Sequence, residues 1–352
     1  MVIELFVGLL LVFALGVWLF LNSSSFGSLP KGDRLARVRN SPNYRDGAFK
    51  NLDSTVLMVG EKNRWETLYE VLSKRVEGLR PDMPVEVVKT DLSALPRDSD
   101  LFVWFGHSSY LLQLGGVRFL VDPVLYNAAP VSFVNRAFPG TDVYKAEDIP
   151  DVDYLIISHD HWDHLDYEAV TRLRGRVGKV VLPLGVGEHF ERWGYAPADL
   201  IELDWWDRVA PAEGFTLHCL PARHFSGRGL TSNQSLWASY MLEVGGKTVF
   251  VGGDSGYGRH FKMIAERFPR IDLAIMENGQ YNEEWRYIHT LPDKLIDEVR
   301  ELAPKSVITV HHSKFALARH PWDEPLRNEL RVGAETDARL LVVKIGEVLI
   351  LE

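Results

Sequence analysis

The chain has 352 residues, 46% hydrophobic and 25% charged, an ordinary globular composition large enough for one sizeable domain or two modest ones. Its 39 basic and 48 acidic residues leave a net charge of -9, which argues against a nucleic-acid polyanion as the main partner. A single cysteine, Cys219, excludes an intrachain disulfide framework and cysteine-rich zinc modules and fits a reducing compartment; any metal must be held by histidine and carboxylate.

From Leu5 to Leu21 the chain reads LFVGLLLVFALGVWLFL, without a charge, and none follows before Lys31. At about 1.5 Å per residue this run and its neutral flank cross roughly 30 Å of hydrocarbon. Trp18 and Phe20 lie near its end, where aromatic rings favour the interface. A signal peptide starts with basic residues; this chain carries Glu4 and neither Lys nor Arg there, which predicts an uncleaved single-pass anchor over 1–22. Lys31, Arg34, Arg37 and Arg39 follow the span, so the positive-inside rule places the main domain on the cytoplasmic side. Residues 23–53, rich in Ser, Gly, Asn and charge, read as a linker or a strap lying over the domain. The main domain is expected over 54–352. Within it, 54–100 forms an edge elaboration: a strand at Ser54–Val59, a helix at Trp65–Val76 and a strand with a turn at Pro84–Leu95.

Leu101–Trp104 is strand-like, Gly106-His107-Ser108-Ser109 turns it, and Tyr110–Leu114 with Val117–Val121 forms a hairpin around Gly115-Gly116. His107 and Asp122 fall at strand ends, where a site could use them or where they could simply stabilise turns. The apolar run Tyr154–Ile157 reads as a buried strand and leads into Ser158-His159-Asp160-His161-Trp162-Asp163-His164. Three imidazoles and two carboxylates in seven residues suit metal ligation. His159 with His161, and Asp163 with His164, could each begin a metal site. Each pair then needs partners from elsewhere, and two metals about 3.5 to 4 Å apart usually share a bridging group.

Three later strands end in further donors. Phe215–Leu220 leads to His224, Lys247–Val251 to Asp254 among glycines, and Lys305–Val310 to His311-His312, of which only one should ligate because neighbours on a strand point oppositely. Donors recurring past strand ends predict a site at one edge of a layered α/β fold. Arg223 and Arg228 flank His224, where they could meet a phosphate or form salt bridges. Asp204-Trp205-Trp206 could line a lipid groove or serve as packing.

These residues carry a resemblance. The segment HDHWDH resembles the His-x-His-x-Asp-His signature of the metallo-β-lactamase superfamily. WFGHSSYLL (104–112), GVRFLVDPVL (116–125), LIISHDHWDHLD (155–166), ELDWW (202–206), PARHFSGRG (221–229), GGDSGY (252–257) and FPRIDLAIM (268–276) are similar to the branch containing N-acyl-phosphatidylethanolamine-hydrolysing phospholipase D and its bacterial relatives. The resemblance implies an αββα sandwich with metals at one edge. It implies one zinc on His159, His161 and His224, a second on Asp163, His164 and His311, and Asp254 bridging them. His289 matches a histidine of the branch that either contacts the substrate or supports a metal ligand. The branch pattern His-Trp-Gly-Thr-Phe aligns with His311–Phe315, so His312-Ser313-Lys314 departs from it and puts the substrate in question.

The function so implied is a membrane-anchored phosphodiesterase with two Zn(2+), in a bacterial inner membrane, acting on phospholipid-like diesters through a metal-bridging hydroxide. Asp163, Asp254 and His289 would be catalytic, and His107, Arg223 and Arg228 would contact substrate. A lactonase or amidase on the same site, or a non-catalytic tethered scaffold, are the alternatives.

Overall fold

The computed structural model describes residues 2–60 and 76–352, so the helix expected at Trp65–Val76 lies almost wholly outside the described residues. The apolar N-terminal run is one helix, Val2–Leu21. A short turn, Ser24–Phe26, and a helix, Gly32–Asn40, follow it. Next comes a small hairpin of β1 (Tyr44–Arg45) and β2 (Ala48–Phe49).

The expected sandwich is present. The first sheet uses β3 (Leu101–Trp104), β4 (Tyr110–Leu114), β5 (Val117–Val121), β6 (Val152–Ile156), β7 (Val177–Pro183) and β8 (Leu200–Leu203). The second uses β9 (Arg208–Ala212), β10 (Phe215–Leu220), β11 (Ser239–Val244), β12 (Lys247–Val251), β13 (Leu273–Glu277), β14 (Ser306–Val310) and β15 (Arg339–Leu340). The last strand, β16 (Val348–Ile350), returns to pair with β3, giving two seven-stranded sheets among the described residues. Both are mixed: β3–β5 and β9–β12 run antiparallel to their neighbours, while β5–β8 and β12–β15 pair in parallel.

The two-residue side-chain period sorts each strand between two apolar layers. Phe102 and Trp104 of β3 and Ile156 of β6 face the inter-sheet core with Leu242, Val249, Ile275 and Ile308. Leu101, Val103 and Leu155 face the outer layer under the helix Tyr167–Leu173. In the second sheet Phe250, Ala274 and Met276 pack outward against the helices His260–Arg267 and Pro292–Leu302. In the latter helix Leu295, Ile296, Val299 and Leu302 recur every three to four residues, and Pro292 starts it where no backbone donor is needed. Each fully buried large apolar side chain contributes roughly 1.5–3 kcal/mol. Strands covered on both faces read as nearly continuous apolar runs, which is why they were legible.

Segment 23–53 is a strap with its own structure. Arg34 donates to Glu188, Glu191 and Glu202 at 2.7, 2.5 and 2.7 Å, with the Arg34 side chain 11% exposed. Phe49 is fully buried and its amide donates to Asn233 O. The strands expected at Ser54–Val59 and Pro84–Leu95 do not form. Their alternating apolar residues fit a strand, but single bonds across loops replace a ladder: Val59 N to Glu284 O, Val85 N to Pro139 O and Val88 N to Ile345 O. Only a turn, Leu92–Ala94, forms there, capped by Asp91.

Candidate metal centre

The ends of β3, β5, β6, β10, β12, β13 and β14 converge at one edge of the sandwich. Three residues there that are not glycine adopt positive φ: His107 at 54°, Asp122 at 40° and His311 at 73°. Such backbone is uncommon for these residues and persists where surrounding contacts enforce it. Here the His107 and His311 loops grip each other, with His107 N donating to His312 O and His311 N to His107 O, both at 2.9 Å. Asp122 accepts from Ser158 N at 2.8 Å and Ser158 Oγ at 2.5 Å, and pairs with His164 Nδ1 at 2.7 Å. Gly253 passes so close to this loop that a Cβ would lie 2.7 Å from Ser158 Cβ.

Two donor groups result. In the first, His161 Nδ1 lies 2.9 Å from His159 Nε2 and 3.1 Å from His224 Nε2. In the second, His164 Nε2 lies 3.2 Å from His311 Nε2, with Asp163 Oδ2 at 3.8 and 3.5 Å from the two. Asp254 stands between them. Its Oδ1 is 3.0 Å from His164 Nε2 and 3.2 Å from His311 Nε2, and its Oδ2 is 3.9 Å from His159 Nε2 and 3.7 Å from His224 Nε2.

This packing fits metal. The opposite ring nitrogens are already committed: His224 Nδ1 to Ile288 O at 2.6 Å, His311 Nδ1 to Gly279 O at 3.2 Å, His159 Nδ1 to Ser158 Oγ at 3.0 Å, and His164 Nδ1 to Asp122. With the outer nitrogens of these four histidines turned to oxygens, their inner nitrogens are left to face a cation, whether a metal ion or a proton, the arrangement that orients ligating histidines. Lone pairs facing one another without a proton between them need a cation. Buried Asp254 Oδ1 likewise has no hydrogen-bond partner. A set of nitrogen and carboxylate donors without sulfur suits zinc or a metal of similar hardness.

Electrostatics agree. Burial, with neighbouring imidazoles, holds His159 well below its ordinary value and keeps it neutral. Burial opposes charge on Asp163 and Asp254, but His164 and the other surrounding histidines together outweigh it, and both stay well below the usual carboxylate range. His164 is held well above its ordinary value: burial disfavours its charge, and Asp254, Asp163 and Asp122 together overcome that. Three carboxylates thus demand positive charge where the second donor group converges.

His107 is fully buried against the second group, Nε2 3.1 Å from Asp163 Oδ2 and its ring 4.2 Å from that of His311. Burial, and next the His311 charge, push it down to about 3. It therefore supports a donor residue instead of lining an open substrate wall. The partly exposed His289 lies 2.5 Å from Glu277 Oε1 by its Nδ1 and 3.8 Å from Asp254 Oδ2.

The two arginines depart from expectation. Arg223 donates to Tyr257 O, Ser54 O and Thr55 Oγ1 and lies over Tyr287. Arg228 donates to Asp160 O, Leu165 O and Ser25 O and sits 4.0 Å over the Trp162 ring. Arg228 thus spends its donors on backbone carbonyls, and Arg223 spends three of its five N–H groups on Tyr257 O, Ser54 O and Thr55 Oγ1. His312 turns away, as expected for one of two neighbours, its ring 4.7 Å from that of Trp104. Lys314 is buried behind the site and donates to Phe105 O and Val124 O. The His312-Ser313-Lys314 departure thus buttresses the loop from behind instead of altering its open wall. Trp205 packs on Trp237 in the core, in place of a lipid groove.

Sequence reasoning passed over Glu277 and assigned Asp160 no ligand role. Glu277 ends β13 at the same edge as the other donors, a position that could have flagged it. Asp160 accepts from Gly227 N and Ser235 Oγ, both at 2.7 Å, and pairs with His189 Nε2 at 3.2 Å, tying the metal loop to its neighbours.

Residues 117–312 match the model of the beta-lactamase superfamily domain. An uncharacterized protein of Mycobacterium tuberculosis is 36% identical over 297 residues, 82% of this chain and 79% of that one. An N-acyl-phosphatidylethanolamine-hydrolyzing phospholipase D 1 of Caenorhabditis elegans is 30% identical over 305 residues, 80% of this chain and 84% of that one. Among solved structures, the metallo hydrolase Igni18 of Ignicoccus hospitalis superposes with a TM-score of 0.58 at 20% identity, covering 72% of this chain and 99% of that one, a likeness of fold. The paired donor groups at the sandwich edge, and the match across more than half of the chain, place this protein in the metallo-β-lactamase superfamily, as a metal-dependent hydrolase with N-acyl-phosphatidylethanolamine phospholipases D among its relatives.

Proposed function

We propose that the protein is a membrane-anchored dinuclear metallophosphodiesterase acting on phospholipid-like diesters. One observation carries the dinuclear reading: the two oxygens of Asp254 face different donor groups, Oδ1 the His164–His311 pair and Oδ2 the His159–His224 pair. His159, His161 and His224 would hold one zinc, Asp163, His164 and His311 the other, with Asp254 between. When bound, such a pair acidifies water toward neutral pH and neutralises charge on phosphoryl oxygens.

The protein's own residues do the rest. Asp163 or Asp254 accepts a hydrogen bond from the attacking water and aims it. Burial, and then the Asp254 charge, raise Glu277 well above the usual carboxylate range, so it is protonated and donates to His289 Nδ1. The proton of His289 then sits on Nε2 and can be given to the leaving oxygen as the Glu277 proton passes to Nδ1, which leaves a neutral imidazole and a Glu277 carboxylate. The phospholipid-like substrate class is supported by the relatives that hydrolyse N-acyl-phosphatidylethanolamine. Anchoring is supported by the helix Val2–Leu21, whose stretch Glu4–Leu21 is long and apolar enough to span and is 0% buried in the protein. The basic residues after it favour the cytoplasmic face of a bacterial inner membrane.

A lactonase or amidase would use the same donors, so the deciding experiment is a substrate panel on the zinc-loaded protein. N-acyl-phosphatidylethanolamine and a simple aryl phosphodiester should turn over ahead of an acyl lactone and an acyl amide. Lactone or amide turnover without diester turnover contradicts the proposal.

A further inference from the structure

The N-terminal helix does not leave the domain through a free tether. Its Phe20 ring meets Phe26 at 5.1 Å, and Phe26 meets Trp162 of the metal loop at 5.0 Å, both edge to face. Arg192 donates to Asn22 O and Gly27 O, Trp193 Nε1 to Ser24 O, and Arg228 to Ser25 O. Gly27 takes φ 69°, and a side chain there would collide with the His189 ring. The helix exit is therefore fixed against the seven-residue metal loop.

A cleft lies on each side of that exit. One, of about 310 Å³, runs between Leu21, Phe26, Asp160 and Leu230. The other, of about 430 Å³, runs between Ser25, Trp162, Pro130 and Ser132. The loops forming their far walls end in large apolar side chains directed at solvent: Leu230 is 87% exposed, Phe133 68% and Val134 41%. Exposed apolar side chains grouped around one feature mark an interaction surface. The occupant is set by continuity: Leu21 and Ser25 at the helix exit line the same clefts as Leu230 and Ser132, so a bilayer that receives the helix adjoins these loops.

We propose that the loops around Phe133 and Leu230 insert into the leaflet entered by the N-terminal helix, on both sides of its exit, so that the catalytic edge faces lipid and Trp162 stands between the leaflet and the metal donors. This rests on the anchor reading above. Aromatic and aliphatic tips at the headgroup boundary are the side chains suited to that depth. A substrate would then reach His161 laterally from the leaflet, past Trp162.

The test uses the full chain in vesicles of phosphatidylcholine and phosphatidylglycerol. Cys219 is buried, so a cysteine introduced at an exposed position takes an environment-sensitive fluorophore selectively. Probes are placed by Leu10→Cys in the helix, Phe133→Cys, Leu230→Cys and, on the outer helix Glu324–Glu335, Leu330→Cys, which is 60% exposed. The proposal predicts blue-shifted emission, and loss of intensity with doxyl-labelled lipids, at 10, 133 and 230 and neither at 330. Quenching at 10 with either 133 or 230 behaving like 330 overturns the proposal and leaves the anchor standing. No quenching at 10 overturns both, independently of which diester the enzyme cleaves.

Discussion

Asp122 touches no inner donor atom, yet it holds His164 Nδ1, Ser158 N and Ser158 Oγ at once. Outer partners of this kind orient a ligand and raise its basicity, and losing one lowers metal affinity about 10–100-fold. Asp122→Asn should shift zinc affinity by that range in a competition titration with a chelator; unchanged affinity would remove Asp122 from the site.

Lys314 makes a different prediction. Burial pushes it down from 10.5 to about 8. Between those values the unfolded chain binds a proton that the folded one does not, so stability rises with pH across that window. Below about pH 8 both states are protonated and the folded state carries the full penalty, about 3 kcal/mol for a shift of this size. Lys314→Met should lack this rise, so urea unfolding at pH 8 and pH 10.5 should show wild type gaining on the variant. Equal slopes would contradict it.

At this scale the candidate metal-holding histidines were legible because their spacing and placement after strands are local features. Glu277 was not, because its role comes through His289 and Asp254, which only the fold brings to it. The backbone carbonyls that Arg223 and Arg228 hold were not legible, because charge in sequence does not reveal which acceptors the fold brings to a guanidinium.

At the scale of elements, the strands buried on both faces could be read directly, while 54–59 and 84–95 could not. Alternation defines a strand's face, but a strand exists only where a neighbour offers a ladder, and none does there. The strap shows the converse: composition left a linker or a strap open, and tertiary ion pairs make the segment part of the domain. Glu188 and Glu202 have side chains 4% and 3% exposed and share Arg34. Removing one partner of a buried ion pair leaves the others uncompensated and costs about 3–5 kcal/mol. Arg34→Met should lower unfolding stability by that amount at neutral pH, measured in urea; a change within experimental error would mean that the strap is not held by these carboxylates.

At the scale of the molecule, the sandwich is the means of assembling the site. The first sheet presents His159, His161, Asp163 and His164 beyond β6, and the second presents His224, Asp254 and His311 beyond β10, β12 and β14. Neither sheet holds a complete donor group, because His224 must join His159 and His161, and His311 must join Asp163 and His164. Fold class and donor set could therefore be anticipated from sequence together, since a chain that places donors after so many strands needs an architecture that gathers strand ends. The proposed division between two ions turns on Asp254, whose two oxygens face different donor groups. The most direct measurement is the metal content of purified wild type and Asp254→Asn beside turnover of N-acyl-phosphatidylethanolamine. About two ions per chain with turnover in wild type, and loss of both in the variant, are predicted from a bridged pair. A variant that keeps its metal and its rate, or a wild type fully active with one ion, would contradict it.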